Sequence, residues 1–181
     1  MKLNYISTAN WQCLTLKWAT AILLFPTMVI AAQAVLLCET PLAGDYDGDG
    51  KCDPAIHTRS LGSWQVRLSR IEYAMASATL GAAAFTPLVG DFDGDGITDP
   101  AVYQNNTGLW LINLSGLGYS PMCATLGGTG YAPVPGDFDG DGLCDPAVYQ
   151  ESTGIWQALL SGSGYLSTSV ALGGPSWLNT P

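Results

Sequence analysis

Downstream of residue 37 the apolar and polar positions alternate in short runs. Trp64, Val66 and Leu68 alternate with Gln65 and Arg67, and Trp110, Ile112 and Leu114 with Leu111 and Asn113. A period of two marks strands with one face packed and the other wetter. Ahead of each lies a shorter strand-like run, as in Ala101-Val102-Tyr103-Gln104. The two runs are joined by a four-residue turn ending in glycine, Asn105-Asn106-Thr107-Gly108 or Glu151-Ser152-Thr153-Gly154, which predicts a hairpin. A third strand is expected from about Tyr119 to Leu126, and a fourth through Pro133-Val134-Pro135. The 22 Gly and 11 Pro punctuate the chain into short strands and tight turns rather than long helices.

The first residues follow another rule. Lys2 and Lys17 bracket a polar opening, Trp18 to Leu37 carries no charge, and Ala32-Gln33-Ala34 is a small-residue cleavage pattern. This predicts an export signal over residues 1–34, removed after Ala34. The competing reading is an uncleaved membrane anchor, against which Pro26 and Gln33 interrupt the apolar run. Lipid attachment at Cys38 is disfavoured by the bulky Leu37 before it. Removal leaves residues 35–181, a chain of 147 residues expected to be secreted or held at the cell surface.

One pattern occurs three times at a spacing of 46 residues. Asp45-Tyr-Asp-Gly-Asp-Gly-Lys-Cys-Asp53 returns as Asp91-Phe-Asp-Gly-Asp-Gly-Ile-Thr-Asp99 and as Asp137-Phe-Asp-Gly-Asp-Gly-Leu-Cys-Asp145. Pro41, Pro87 and Pro133 open the units; Trp64, Trp110 and Trp156 lie mid-unit; Leu-Gly pairs at 80, 126 and 172 close them. The repeats are therefore 41–86, 87–132 and 133–178, and the second and third agree at 25 of 46 positions. Four strands in a unit of this length are the size of one propeller blade, giving an all-β expectation of three four-stranded blades.

Charge sharpens the picture. Lys51, Arg59, Arg67 and Arg70 are the only bases after residue 34, 4 against 15 acids or −11, so attraction to nucleic-acid phosphates has no support. Twelve of those acids stand at positions 1, 3, 5 and 9 of the three loops. Two carboxylates about 5 Å apart repel by roughly 3 kcal/mol at an effective dielectric near 20. Glycines at positions 4 and 6 let the loop turn sharply so that the carboxylates converge. An all-oxygen set in a flexible loop suits Ca²⁺ better than Mg²⁺, and zinc would want converging Cys or His. The expected side-chain ligands are Asp45, Asp47, Asp49 and Asp53; Asp91, Asp93, Asp95 and Asp99; and Asp137, Asp139, Asp141 and Asp145. The backbone carbonyls of Lys51, Ile97 and Leu143 are expected to complete the shells of about three ions. A helix-loop-helix calcium motif fails at position 12, where Ile56, Val102 and Val148 replace its bidentate Glu, and at the prolines that follow each loop.

Asp-x-Asp-Gly-Asp-Gly-x-x-Asp, followed by Pro-Ala-Val-Tyr in the second and third units and set in a repeat with a central Trp, resembles the FG-GAP or VCBS-type repeats of bacterial extracellular proteins, related to the calcium-binding blades of integrin α subunits. The resemblance spans Pro41 to about Trp177. It implies a propeller-type architecture, Ca²⁺ in the loop joining the first two strands of each blade, and adhesion or ligand binding as the employment. Propellers close with about four to eight blades, so three predict an incomplete propeller, an open stack, or a homo-oligomer that completes the ring.

The resulting expectation is an exported calcium-binding module for binding, adhesion or scaffolding, without catalysis of its own. Its partner would be an extracellular protein or carbohydrate. The alternatives are an accessory propeller of an extracellular hydrolase and a self-associating spacer. The three acidic loops are equivalent, whereas acid/base hydrolysis wants two acids in separated environments. The central Trp residues are read as sheet packing rather than a sugar platform. His57, aligned with Tyr103 and Tyr149, is read as a packing substitute. Cys38, Cys52, Cys123 and Cys144 are disulfide candidates in any of three pairings, of which Cys38 with Cys52 and Cys123 with Cys144 would each staple a preceding strand to an acidic loop; free buried thiols are the alternative.

Overall fold

A computed structural model describes residues 38–174. The chain divides into two units, Met1–Ala34 and Val35–Pro181, and the described residues belong to the second. The predicted export segment, residues 1–34, lies outside them. Among the described residues no helix is long and apolar enough to cross a membrane.

The described chain is all-β, built as three four-stranded antiparallel sheets, none closed into a barrel. Sheet one holds β1 (Glu39–Gly44), β2 (Asp53–Thr58), β3 (Ser63–Leu68) and β4 (Ala74–Thr79). Sheet two holds β5 (Phe85–Gly90), β6 (Asp99–Gln104), β7 (Leu109–Leu114) and β8 (Ser120–Thr125). Sheet three holds β9 (Ala132–Pro133), β10 (Ala147–Gln150), β11 (Ile155–Leu160) and β12 (Leu166–Ala171). Each is a simple meander in chain order. The acidic loops join the first strand of each sheet to the second, as expected.

The repeated prolines sit in first strands, which are edges and tolerate a missing donor. Sheet three shows the limit of that tolerance. In the first two sheets Ala43 and Val89 pair with Pro54 and Pro100. In the third, Pro135 stands where those residues stand and meets Pro146, so neither side can donate. The ladder there shrinks to a two-residue β9 and an isolated bridge between Gly136 and Asp145.

Each sheet centres on its tryptophan. Trp64 faces His57 across the β2–β3 ladder with ring centroids 5.0 Å apart, Trp110 faces Tyr103 at 5.1 Å, and Trp156 faces Tyr149 at 4.8 Å. Trp64 and Trp110 are fully buried, so for these two the packing reading holds and a sugar platform is ruled out. Successive sheets pack through these faces. Val89 of sheet two lies on Tyr46, Ala55 and Val66 of sheet one, and Val148 of sheet three on Tyr103, Trp110 and Leu126 of sheet two.

The seams also run through the loops. Thr98 N–H donates to the Asp45 carbonyl at 2.6 Å, and Cys144 N–H to the Asp91 carbonyl at 2.7 Å. The Cys144 sulfur lies so close to Gly90 that a Cβ there would sit 2.7 Å from it.

That placement overturns the expected disulfides, since all four cysteines are free thiols. Cys144 packs on β5, whereas Cys123 lies on β8 at the opposite edge of sheet two, three strand spacings or roughly 14 Å away. Cys38 precedes β1 beside Arg59, and Cys52 precedes Asp53 at the other end of the same hairpin. Neither pair meets the Cα separation of under about 7 Å that a bridge requires.

Candidate metal centres

Each acidic loop is shaped by its own carboxylates. The first Asp caps the turn: Asp45 Oδ1 accepts from Gly48 N–H at 2.7 Å and Oδ2 from Gly50 N–H at 2.7 Å. Asp91 and Asp137 repeat both bonds with Gly94 and Gly96, and with Gly140 and Gly142. These six glycines all have positive φ, between 72° and 92°, the left-handed backbone that aims consecutive N–H groups at one carboxylate.

The ninth position is the buried anchor. Asp53, Asp99 and Asp145 are the first residue of β2, the first residue of β6 and the partner in the isolated bridge, and all three are fully buried. One oxygen accepts from the loop's second residue, Tyr46, Phe92 or Phe138, at 3.0, 2.8 and 3.0 Å. The other accepts from the backbone of Ser69, Ser115 or Ser161 at 2.7, 2.7 and 2.8 Å. Burial raises the Asp99 carboxyl above its ordinary range against the pull of these N–H donors. In Asp45 the raising effect of burial is outweighed by the N–H groups of Gly50, Gly48, Asp47 and Asp49, leaving it lowered.

Positions 1, 3 and 9 converge. Asp45, Asp47 and Asp53 each offer an oxygen, all within 4.8 Å of one another, and so do Asp91, Asp93 and Asp99, and Asp137, Asp139 and Asp145. These three groups could each hold a metal ion. The fifth position stands outside them, unlike the sequence expectation for Asp49, Asp95 and Asp141. Its Oδ1 accepts from the seventh residue's N–H, at 2.9, 2.7 and 2.8 Å for Lys51, Ile97 and Leu143. Its carboxylate also accepts from the hydroxyl of Ser69, Ser115 or Ser161, at 2.9, 3.1 and 2.9 Å. The carbonyls of Lys51, Ile97 and Leu143 accept no backbone hydrogen bond among the described residues.

The serines were missed in the sequence reading. Their signal is plain in retrospect: Ser69, Ser115 and Ser161 keep the 46-residue register, directly after the third strand of each sheet. The following residue closes the loop from above, donating its N–H to the third-position carboxylate from Arg70, Gly116 and Gly162 at 2.9, 3.0 and 3.0 Å.

Compared with family models, with curated proteins and with solved structures, the chain matches none.

The donor set is therefore three carboxylates, oxygen only, each held by backbone N–H groups. A carboxylate has about four lone-pair positions; Asp91, Asp93 and Asp99 each accept two backbone N–H bonds and keep room for a cation, whereas Asp45 accepts four. No thiol joins any group. Cys144, next to Asp145, is turned to sheet two, and burial first, then the surrounding aspartates, push its thiol up to about 12. It is a thiol kept from becoming a thiolate ligand.

Proposed function

We propose that the chain is an exported calcium-binding repeat module of propeller-type blades, serving binding, adhesion or scaffolding without catalysis of its own. The observation that carries this is the threefold recurrence of one geometry, in which Asp positions 1, 3 and 9 converge within 4.8 Å in all three loops. A divalent ion bound there supplies charge neutralisation that hydrogen bonds alone provide in part, and Ca²⁺ is the hard cation such flexible oxygen sites favour. Supporting the propeller reading are the in-order four-stranded meanders and the repeated face-to-face seams. The resemblance to FG-GAP and VCBS-type repeats points the same way.

Calorimetric titration of the purified chain should find about three Ca²⁺ and a melting temperature that rises with Ca²⁺. Absence of binding at millimolar Ca²⁺ would overturn the reading. Asp93→Ala should remove one ion of the three. Asp95→Ala should weaken that site by about tenfold at most, because its carboxylate is spent on Ile97 and Ser115. Equal effects of the two substitutions would show that the fifth position ligates as well.

A further inference from the structure

Among the described residues, sheets one and three each keep one face uncovered, and the two faces are those that meet inside the chain elsewhere. The residue after the first loop aspartate is 6% exposed as Tyr46 and 1% as Phe92, but 47% as Phe138. The central Trp is buried in sheets one and two, while Trp156 is half-buried. Leu126 is covered and its counterpart Leu172 is exposed, as is Val170 beside it. Phe138, Trp156, Val170 and Leu172 line an apolar cavity of about 240 Å³ on sheet three. The mirror situation holds at sheet one. Val102 and Val148 are fully buried against the preceding sheet, whereas Ile56 in the same register is 39% exposed and Met75 is exposed with it.

The loops repeat the mismatch. A Cβ on Gly48 or Gly94 would meet Ile97 or Leu143 of the next sheet at 3.3 or 3.0 Å, while Gly140 has nothing within 4 Å. Gly44 is closed by Thr98 and Gly90 by Cys144, while Gly136 meets only Phe138 of its own loop. The residues that would fill these gaps by register are Lys51 and Cys52, both exposed. Lys51 would then stand over the exposed Asp137 and Asp139, so the two open faces differ in charge as well as in shape.

We propose that the open face of sheet three receives the open face of sheet one of a second copy, so that two chains close head to tail into a six-sheet assembly. The seam continues the two already present within the chain. It is heterologous, and two such seams related by a two-fold axis satisfy both faces of both copies. Six sheets also fall within the range at which propellers close.

Sedimentation equilibrium of the purified full chain from roughly 1 to 100 µM, the range in which a micromolar seam populates, should reach twice the mass of the polypeptide. A single-chain mass throughout overturns the proposal. Ile56→Asp and Phe138→Asp change exposed positions on opposite faces. Either alone should abolish the doubled mass, and mixing the two should partly restore it through the one intact seam. An Ile56→Asp chain that still dimerises normally would mean that like faces meet, and would also overturn it. Gly136→Cys should form a disulfide with Cys52 of the second copy in oxidised glutathione, as the Gly90–Cys144 approach implies. That bond should vanish with Cys52→Ser; its absence in the single variant counts against the seam. None of these readouts involves a metal, so the inference and the calcium reading fail separately.

Discussion

The first and second acidic loops share a backbone and differ in what stands over it. In both, the first aspartate gathers the glycine N–H groups and the ninth ties the loop to the end of the third strand. Loop one then adds cations of its own. Lys51 Nζ pairs with Asp49 Oδ2 at 2.8 Å, and this contact holds the Asp49 carboxyl below its ordinary range. The Arg70 guanidinium donates to the Asp47 carbonyl at 3.1 Å. Loop two has Ile97 and Gly116 at these places and no such neutralisation. The lesson is that main-chain donors shape the loop, while side-chain charge only adjusts how much of its negative charge is left unbalanced.

The ninth position gives the largest test of that division. Asp99→Ala and Asp53→Ala each orphan two backbone N–H groups, those of Phe92 and Ser115 or of Tyr46 and Ser69. Each should cost about 2 to 5 kcal/mol in urea unfolding followed by Trp fluorescence. Similar losses confirm a shared frame; a benign Asp53→Ala would break the comparison. A smaller effect is expected from Lys51→Ile with Arg70→Gly, which converts the cover of loop one to that of loop two. Ca²⁺ affinity at that loop should rise by about two- to tenfold at low salt, read by calorimetry, and the gain should shrink as salt screens the charges.

The smallest effect distinguishes the sheets behind these loops. His57 is buried where Tyr103 and Tyr149 stand in the other units, with Nε2 3.2 Å from the Leu80 carbonyl and Nδ1 without a partner. Burial holds its imidazole below the usual range. The unfolded chain therefore binds this proton more readily, so the stabilisation is complete above about pH 6.5 and is lost as pH falls towards the lowered folded value. Melting temperature should decline over that interval in the wild type and be flatter in His57→Tyr.

The strands, the turns and the place of each acidic loop were legible in the residues because they rest on local rules. Alternation gives Trp64 and Val66 one face, and Gly108 closes the Asn105 turn with φ of 74°. Convergence of positions 1, 3 and 9 also followed from spacing and the two glycines. What escaped was decided by groups distant in the chain. Asp95 is turned aside by Ser115, 20 residues on, and a carboxylate count cannot reveal a competing donor. The favoured cysteine pairs failed for a local reason, since closeness in sequence put Cys38 and Cys52 at opposite ends of one hairpin. Repulsion reckoned from carboxylate spacing also left out the main chain, since every converging carboxylate is held by N–H groups.

The hydrogen bonds from Thr98 to Asp45 and from Cys144 to Asp91 join the eighth residue of one loop to the first of the loop before it. An ion held in one turn would thereby fix an anchor of its neighbour, so any occupancy should spread along the array as a nearest-neighbour cooperativity rather than as three separate equilibria. The middle loop touches both others in this way, and crippling it should slow the filling of each end more than crippling an end disturbs the rest.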